Sequence, residues 1–171
     1  SFVSIERFQL SNFNDTFFGS AADEQVDGFN GLDTLNGGDG ADNLKGMNGN
    51  DTLNGDDGND VLNGGANNDT IDGGAGQDRI YGDKGNDTLT GGADNDQFVF
   101  IGGATGTDVI TDFENGADKI RLFSTSADDY SDLAIADNGS GGVTITLPDG
   151  SVITLQNTLY ADMDASDFGF G

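Results

Sequence analysis

The sequence lacks cysteine, histidine and tryptophan, and it contains a single proline among its 171 residues. Without histidine or cysteine the chain cannot form a Ser-His-Asp triad, a cysteine nucleophile, a thiolate or imidazole zinc site, or an iron–sulfur cluster. One proline beside 29 glycines excludes a collagen-like composition. No apolar run approaches the roughly 18 residues that a membrane-spanning helix requires. These absences remove the commonest catalytic and transition-metal chemistries from consideration.

Positive charge is also scarce, because 6 Lys and Arg residues stand against 31 Asp and Glu residues and the formal net charge is -25. Such an excess of negative charge argues against nucleic acid and anionic membrane surfaces as partners, since both attract Lys and Arg. Aspartate outnumbers glutamate 28 to 3 and lies among glycine and asparagine, which are turn-forming residues. Short carboxylates in turns are suited to binding a hard cation.

A nine-residue repeat occupies residues 28–99, beginning with GFNGLDTLN and GGDGADNLK. All eight units have glycine at position 1, aspartate at position 6 and an apolar residue at position 8. The position-6 residues are Asp33, Asp42, Asp51, Asp60, Asp69, Asp78, Asp87 and Asp96. Position 4 is glycine in six units and becomes Asn67 or Asp94 in the other two. These two residue types tolerate positive φ best after glycine, so we expect positive φ throughout position 4.

The repeat is short of apolar residues and rich in stacked charge. A short strand in each unit would direct its middle side chain inward, which accounts for one obligatory apolar residue in every nine. Burial this sparse does not offset the conformational entropy of an ordered chain. Aspartates that recur at the same position of every unit would also stack and repel one another. We therefore predict that the bare array is unfolded and that a hard divalent cation, bound by carboxylate and carbonyl oxygens, folds it.

Both flanks of the repeat depart from its pattern. Residues 1–27 keep Asp15 and Glu24 at position 6 but lose most glycines, and they are predicted to be degenerate repeats that form an N-terminal cap. The aromatic residues expected to close the open end of the stack are Phe2, Phe8, Phe13, Phe17 and Phe18.

The nine-residue period stops near residue 100. Residues 108–123 alternate like strands around an Asn-Gly turn, and residues 143–147 and 151–155 flank Pro-Asp-Gly as in a hairpin. Because the end of a solenoid must be shielded, we predict that residues 100–171 form an antiparallel β cap.

The repeat resembles the glycine-rich nonapeptide GGxGxDxUx of the RTX (repeats in toxin) family. This resemblance implies an all-β fold, a right-handed parallel β-roll in which six residues form a turn, three form a strand and two units complete a coil of 18. The segment TGTDVITDFENGADKIRL resembles the part that follows the roll in serralysin-type proteases. The C-terminal DFGFG is similar to the tails of type I secretion substrates.

The resemblance also implies the calcium ligands. Each ion would lie between two turns one coil apart, bound by both position-6 aspartates and by carbonyls at positions 1 and 3 of one turn and 2 and 4 of the next. Six full pairs follow: Asp33/Asp51, Asp42/Asp60, Asp51/Asp69, Asp60/Asp78, Asp69/Asp87 and Asp78/Asp96. Asp15/Asp33 and Glu24/Asp42 are weaker pairs, which would raise the expected count from six ions to eight.

The carbonyl ligands implied by the resemblance lie in the glycine-rich turns. They belong to Gly28, Asn30, Gly37, Gly38, Asp39, Gly40, Gly46, Met47, Asn48, Gly49, Gly55, Asp56, Asp57, Gly58, Gly64, Gly65, Ala66, Asn67, Gly73, Gly74, Ala75, Gly76, Gly82, Asp83, Gly85, Gly91, Gly92 and Asp94. Beyond the repeats, Asp108, Asp112 and Asp118 are candidates for one more ion, against the alternative that they only form turns.

The leading functional hypothesis is a calcium-dependent folding and secretion module within a larger exported bacterial protein. Low cytosolic calcium would leave the chain extended for a type I channel, and millimolar calcium outside the cell would fold it. Its expected partners are calcium, the type I secretion apparatus and the upstream domains of the parent protein. The absence of cysteine fits an extracellular protein stabilised by metal instead of disulfides.

Two alternatives belong to other functional classes. A carbohydrate- or surface-binding module, similar to alginate-epimerase R-modules or RTX adhesins, would take an anionic polysaccharide as partner. The six basic residues are scattered in the sequence, however, at Arg7, Lys45, Arg79, Lys84, Lys119 and Arg121. Catalysis by paired carboxylates is the other alternative. The periodic aspartates are assigned to calcium and no tryptophan is present to stack a sugar, so we predict that this chain has no catalytic residue.

Overall fold

The structure is a computed structural model that describes residues 6–103, 105–125 and 127–171. These residues contain no α-helix, and their strands form two sheets. The strands are β1 (Glu6–Gln9), β2 (Thr16–Phe18), β3 (Glu24–Asp27), β4 (Thr34–Asp39), β5 (Asn43–Asn48), β6 (Thr52–Asp57), β7 (Val61–Ala66), β8 (Thr70–Ala75), β9 (Arg79–Lys84), β10 (Thr88–Ala93), β11 (Gln97–Ile101), β12 (Thr107–Ile110), β13 (Lys119–Phe123), β14 (Ala134–Asp137), β15 (Val143–Thr146), β16 (Val152–Leu155) and β17 (Phe168–Phe170). Short 3₁₀ helices lie at Tyr130–Asp132, Tyr160–Asp162 and Ala165–Asp167.

Successive strands of the repeats alternate between the two sheets. The first sheet has the order β1-β3-β5-β7-β9-β11-β13-β17, and the second has the order β14-β15-β16-β12-β10-β8-β6-β4-β2. Within the second sheet Leu35 lies opposite Leu53, and Leu53 lies opposite Ile71, so each coil takes 18 residues. The predicted all-β parallel β-roll is confirmed.

The paired segments are longer than the three-residue strands that the resemblance implies. In β6 the pairing with β8 covers Thr52–Asn54 and resumes at Asp56 and Asp57, inside the glycine-rich turn. Turns of neighbouring coils also bond to each other directly, since the Gly58 N–H donates to the carbonyl of Ala75 at 2.8 Å. Identical turns stacked in register satisfy one another's backbone groups, so the ladder continues through them.

A column of position-8 side chains fills the space between the sheets. All of these side chains are fully buried, and their outward-facing neighbours are more exposed except Val99, which is 4% exposed. They belong to Leu35, Leu44, Leu53, Leu62, Ile71, Ile80, Leu89 and Phe98. In the first seven units the predicted single apolar residue is therefore the one buried hydrophobic side chain.

The N-terminal residues continue the roll. Strands β1 and β3 lie in the first sheet and β2 lies in the second, all in parallel register with the repeats. The rings of Phe8 and Phe17 pack together with centroids 4.8 Å apart and cover this end of the core. The side chains of Phe13 and Phe18 are 78% and 76% exposed, so these rings do not contribute to the predicted closure. Phe2 lies outside the described residues.

The roll also continues past the end of the nine-residue period. Strand β12 extends the second sheet beside β10, with Thr88 opposite Val109. Strand β13 extends the first sheet beside β11, with Gln97 opposite Lys119. The turn predicted between these strands is present, and the Asp118 N–H donates to the carbonyl of Glu114 at 2.9 Å. The two strands lie in different sheets, however, and do not pair with each other.

The predicted hairpin is present as β15 and β16, which are antiparallel with Thr146 opposite Val152. Strand β14 adds a third antiparallel strand beside β15. Strand β16 also pairs in parallel with β12, and β17 pairs in parallel with β13. The antiparallel strands therefore extend the second sheet at the end of the roll.

The core column predicts a sharp contrast between two leucines of the same repeat array. Leu62→Ala removes a fully buried side chain and should lower the free energy of unfolding of the calcium-bound chain by about 2–5 kcal/mol. Leu32→Ala, at a side chain that is 56% exposed, is the matched control and should change it by less than about 0.5 kcal/mol. Denaturant unfolding at saturating calcium measures both, and equal effects would contradict the assigned core.

Candidate metal centre

The position-6 aspartates form two columns, in which each carboxylate bonds to the backbone of the coil before it. In one column, Oδ1 of Asp51 accepts from the N–H of Asp33 at 2.8 Å, and Oδ1 of Asp69 accepts from the N–H of Asp51 at 2.8 Å. In the other column, Oδ1 of Asp78 accepts from the N–H of Asp60, also at 2.8 Å. All eight residues are at most 2% exposed. The predicted pairs are therefore neighbours in space, at a spacing of one coil.

The second oxygen of every one of these carboxylates has no partner. Oδ2 is buried and accepts no hydrogen bond in Asp33, Asp42, Asp51, Asp60, Asp69, Asp78, Asp87 and Asp96. A buried, unpartnered carboxylate oxygen is costly, because it has lost its water without gaining a donor or a cation. The same defect in every repeat indicates that these oxygens are available to a ligand.

The position-1 glycines show what surrounds these oxygens. A Cβ atom on Gly55 would lie 2.3 Å from Oδ2 of Asp60 and 2.3 Å from the carbonyl oxygen of Gly73. At Gly37 the corresponding distances are 2.3 Å to Oδ2 of Asp42 and 2.7 Å to the carbonyl oxygen of Gly55. Any other residue at position 1 would occupy a space lined by carboxylate and carbonyl oxygens of two coils.

This donor set fits calcium. Calcium takes 6–8 oxygen ligands and accepts carboxylates and backbone carbonyls together. Among the described residues, no group of three or more acidic side chains is placed to hold a metal ion. A cation between two turns would therefore complete its coordination with carbonyls of the glycine-rich segments, which lie at positions 1–4 as the resemblance implies.

The backbone of each turn explains part of its sequence. Asn67 and Asp94, the two replacements at position 4, have φ of 82° and 79°, as predicted. Position 2 also has positive φ, including at Met47, Asp56 and Asp83, where no glycine marks it. This second requirement is missed by sequence reasoning because glycine stands at position 2 in only four of the eight units.

Burial raises the pKa of the column aspartates. The pKa of Asp69 rises to about 8, chiefly because of desolvation, while the N–H of Asp51 lowers it in part and the neighbouring charges of Asp87 and Asp51 raise it further. The pKa of Asp78 rises to about 7, also chiefly through desolvation. The pKa of Asp42 rises to about 6 for the same main reason. Without a metal ion, burial thus shifts these carboxyls towards the protonated form.

Glu24 reproduces the aspartate geometry in a degenerate turn. Its N–H donates to Oδ1 of Asp42 at 2.7 Å, its side chain is buried, and its Oε2 has no partner. A Cβ on Gly19 would lie 2.9 Å from Oε2. Asp15 is only half-buried, and its Oδ2 already accepts two hydrogen bonds from Ser11. Of the two weaker pairs, Glu24/Asp42 therefore matches the repeats more closely than Asp15/Asp33.

The columns also continue beyond the repeats. Oδ1 of Asp108 accepts from the N–H of Asp87 at 3.0 Å, and Oδ1 of Asp118 accepts from the N–H of Asp96 at 3.0 Å. Asp108 and Asp118 lie in different columns. The structure therefore does not group them with Asp112 around a single ion, which was one of the two predicted alternatives. Asp112 instead accepts from the N–H groups of two consecutive glycines of the last turn. Spacings of 21 and 22 residues hid this continuation from a search for a period of nine.

Fold and columns together define a parallel β-roll whose turns bury stacked carboxylates with free oxygens. The family model of the RTX calcium-binding nonapeptide repeat matches the sequence in four copies, at residues 10–44, 27–62, 36–71 and 63–98. These matches cover more than half of the chain, which belongs to the RTX calcium-binding repeat family. It is thus a structural, calcium-binding repeat module of a kind typical of secreted proteins.

A solved structure shows the same fold. Extracellular lipase LipA from Serratia marcescens matches with a TM-score of 0.52 and 16% identity, over 100% of this chain and 40% of the lipase. The AlgE6R3 subunit of the Azotobacter vinelandii mannuronan C5-epimerase matches with a TM-score of 0.40 and 24% identity, over 93% of this chain and 79% of that subunit. The chain thus spans less than half of the lipase. A search of curated protein sequences found no match. Among the described residues, no helix has the length and apolarity to span a membrane.

The raised pKa values predict an effect of pH on the metal-free chain. The ordinary value is 3.8 and the pKa of Asp69 in the folded roll is about 8, so between about pH 4 and pH 8 the folded state binds more protons than the unfolded state. Stability without calcium should therefore rise as the pH falls through this window. Far-UV circular dichroism in EGTA should show more β-structure at about pH 5 than at about pH 8.

The controls for this pH effect are two aspartate variants. Asp69→Asn removes a titrating group and should weaken the pH dependence, whereas Asp57→Asn, at an exposed turn position, should leave it unchanged. A β-signal in EGTA that is flat with pH, or that falls towards acid, would contradict the raised pKa values.

Proposed function

We propose that this chain is a calcium-operated folding module that serves export, folding and extracellular stability of a larger bacterial protein. One observation carries the proposal: each repeat buries a carboxylate whose second oxygen has no protein partner. A bound cation removes the cost of these oxygens without protonating them, so the ion and the fold stabilise each other. Calcium is therefore a condition of folding in this proposal and not an addition to a finished domain.

Net charge favours the same mechanism. The chain carries -25, and six calcium ions would reduce the net charge to about -13. Without calcium, stacked carboxylates repel one another and oppose compaction. With calcium, two carboxylates are attracted to the ion between them. Extracellular calcium modules bind with dissociation constants of about 10⁻⁴–10⁻³ M, which lies near the calcium level outside cells and far above that of the cytosol. The chain would stay unfolded before export and fold afterwards.

The C-terminal tail fits this order of events. Phe168–Phe170 form β17, which pairs with β13, and the ring of Phe168 packs against Tyr130 at 5.4 Å. Asp167 is fully buried in the folded roll. A secretion signal in this tail would be accessible only while the chain is unfolded. Recognition by a type I apparatus would thus select the calcium-free state.

The principal test is a calcium titration followed by far-UV circular dichroism, starting in EGTA and ending at millimolar calcium. We expect a cooperative transition from coil to β-structure, because each ion joins two turns and every turn belongs to the next site. Magnesium should not replace calcium, since it is smaller and prefers octahedral sites that retain water. A β-signal that is already complete in chelator would overturn the proposal.

The continuation of the columns predicts additional ions. We propose sites at Glu24/Asp42, Asp87/Asp108 and Asp96/Asp118, besides the six predicted from the repeat. Glu24→Gln and Asp118→Asn should each lower the calcium bound per chain by about one ion, measured by equilibrium dialysis, because each removes half of the charge of a site. Asp128→Asn, at an exposed residue outside both columns, is the control. Unchanged stoichiometry in Asp118→Asn would show that the column ends at Asp96.

A further inference from the structure

Seven asparagines of this chain are followed directly by glycine, a pair that is prone to lose the side-chain amide. The reaction begins when the backbone nitrogen of the following residue attacks the side-chain carbon Cγ, and glycine has no Cβ to obstruct this approach. In an unfolded chain these pairs would react at similar rates, so the folded structure decides which of them reacts. Five lie in the repeats and two follow them: Asn30, Asn36, Asn48, Asn54, Asn63, Asn115 and Asn138.

The roll protects the five pairs in the repeats, because it holds the glycine that follows each asparagine. The Gly31 N–H donates to the carbonyl of Asn48 at 3.0 Å, and the Gly49 N–H donates to the carbonyl of Ala66 at 3.2 Å. A backbone nitrogen held in this way must first leave the sheet before it can attack. The other three glycines are buried inside the paired strands β4, β6 and β7, at Gly37, Gly55 and Gly64.

The pair Asn138-Gly139 is exposed in the loop between β14 and β15, but its attacking nitrogen is also held. The Gly139 N–H donates to Oδ1 of Asp137 at 2.7 Å. Oδ1 of Asn138 in turn accepts from the N–H groups of Ser140 and Gly142, at 2.8 and 3.1 Å. A carboxylate beside the nitrogen disfavours the loss of its proton, because two negative charges would then lie side by side.

The pair Asn115-Gly116 differs from the other six. Both residues are exposed in the turn between β12 and β13, and a Cβ on Gly116 would have nothing within 4 Å. The hydrogen bonds of this turn use neighbouring groups, since the N–H groups of Ala117 and Asp118 donate to the carbonyl of Glu114. Within the described parts of the chain, the Gly116 N–H has no acceptor. The nitrogen that must attack is therefore free and open to solvent.

The amide of Asn115 connects this turn to the C-terminal segment. Its Nδ2 donates to the carbonyl of Asp162, in the 3₁₀ helix Tyr160–Asp162. An ionised carboxylate in the same place would have no hydrogen to donate and would face the carbonyl oxygen directly. Loss of the amide would thus convert an attractive contact into a repulsive one.

We propose that Asn115 is a self-deamidation site of the folded roll, and that its conversion loosens residues 160–163. The Gly116 nitrogen bonds to Cγ of Asn115 and gives up its proton, while the Cγ–Nδ2 bond breaks and Nδ2 leaves as ammonia. Water then adds to one of the two carbonyl carbons of the resulting cyclic imide and opens it to aspartate or isoaspartate. The inference requires a folded chain and no further reactant besides water.

The change would be local and would accumulate with the age of the folded chain. The hydroxyl of Tyr130 donates to the carbonyl of Met163 at 3.4 Å, and its ring packs against that of Phe168 at 5.4 Å. Nζ of Lys119 also donates to the carbonyl of Ser166 at 2.7 Å. These contacts hold the rest of the C-terminal segment, so the roll itself should persist.

The test of the site is peptide mapping by mass spectrometry, on the full chain aged at saturating calcium and on the same chain aged in denaturant. In denaturant all seven pairs should lose ammonia at similar rates. In the folded chain Asn115 should react at least about ten-fold faster than any other pair, because the others must first break a hydrogen bond or open the sheet. Asn115→Gln keeps an amide but must close a larger ring, and it should abolish the fast reaction. Asn138→Gln is the matched control and should leave it unchanged.

Hydrogen exchange of the folded chain tests the consequence. Asn115→Asp reproduces the aspartate product, and the amide protons of Asp162 and Met163 should exchange about five-fold faster in this variant, because one hydrogen bond to the segment is lost. Asn138→Asp adds the same charge in another loop and should leave both amide protons unchanged.

Three outcomes would overturn the proposal. Faster loss of ammonia at Asn138 than at Asn115 would show that the Asp137 carboxylate assists the proton transfer. Equal rates at all pairs in the folded chain would show that the fold does not select among them. Unchanged exchange at Asp162 in Asn115→Asp would refute the loosening. None of these bears on calcium-induced folding, which circular dichroism measures separately.

Discussion

Each coil of the roll is joined to the next by a carboxylate that serves two purposes. One oxygen of a column aspartate accepts a backbone hydrogen bond from the preceding coil, and the other remains buried without a donor. The hydrogen bond fixes the position of the carboxylate. Burial of its second oxygen without a donor is unfavourable, and a bound cation would remove this penalty. Because both contacts join the same two coils, each filled site orders the turns of its neighbours. Cooperative, quasi-one-dimensional folding follows from this arrangement.

The thin core explains why the ends of the roll differ from its middle. Each of the first seven units of the repeat buries one aliphatic side chain, and its turn contributes backbone pairing and a buried carboxylate. The C-terminal region buries more, since the ring of Phe98 packs near that of Phe113 and the hairpin β15–β16 adds Ile145 and Ile153 to the same core. Apolar burial at this end can hold the last coil, whereas the repeats rely on ions. Strands β12 and β13 pair in parallel with β10 and β11, so this apolar burial also stabilises the last coil of the repeats.

The two outer faces have different chemistry because alternate units contribute to different sheets. Threonine and asparagine dominate the outward positions of the second sheet, and basic and aromatic residues gather on the first. The column aspartates are buried along the turns, away from both faces. Under the proposed function, calcium would determine whether the roll and both of its faces form.

The nine-residue period by itself predicted one inward apolar residue per unit, stacked aspartates and the positive φ of Asn67 and Asp94, because each unit repeats the same turn and strand. The parallel β-roll and its coil of 18 residues were implied by the family resemblance that this period carries. The sequence left Asp15/Asp33 and Glu24/Asp42 as equal weaker pairs, and the structure separates them, because Oδ2 of Asp15 accepts hydrogen bonds from Ser11 whereas Oε2 of Glu24 has no partner. Asp108 and Asp118 were hidden by changed spacing, although strand pairing restores their register. Only the tertiary structure brought the scattered basic residues onto one sheet, because pairing between strands that are distant in sequence decides which outward side chains share a face.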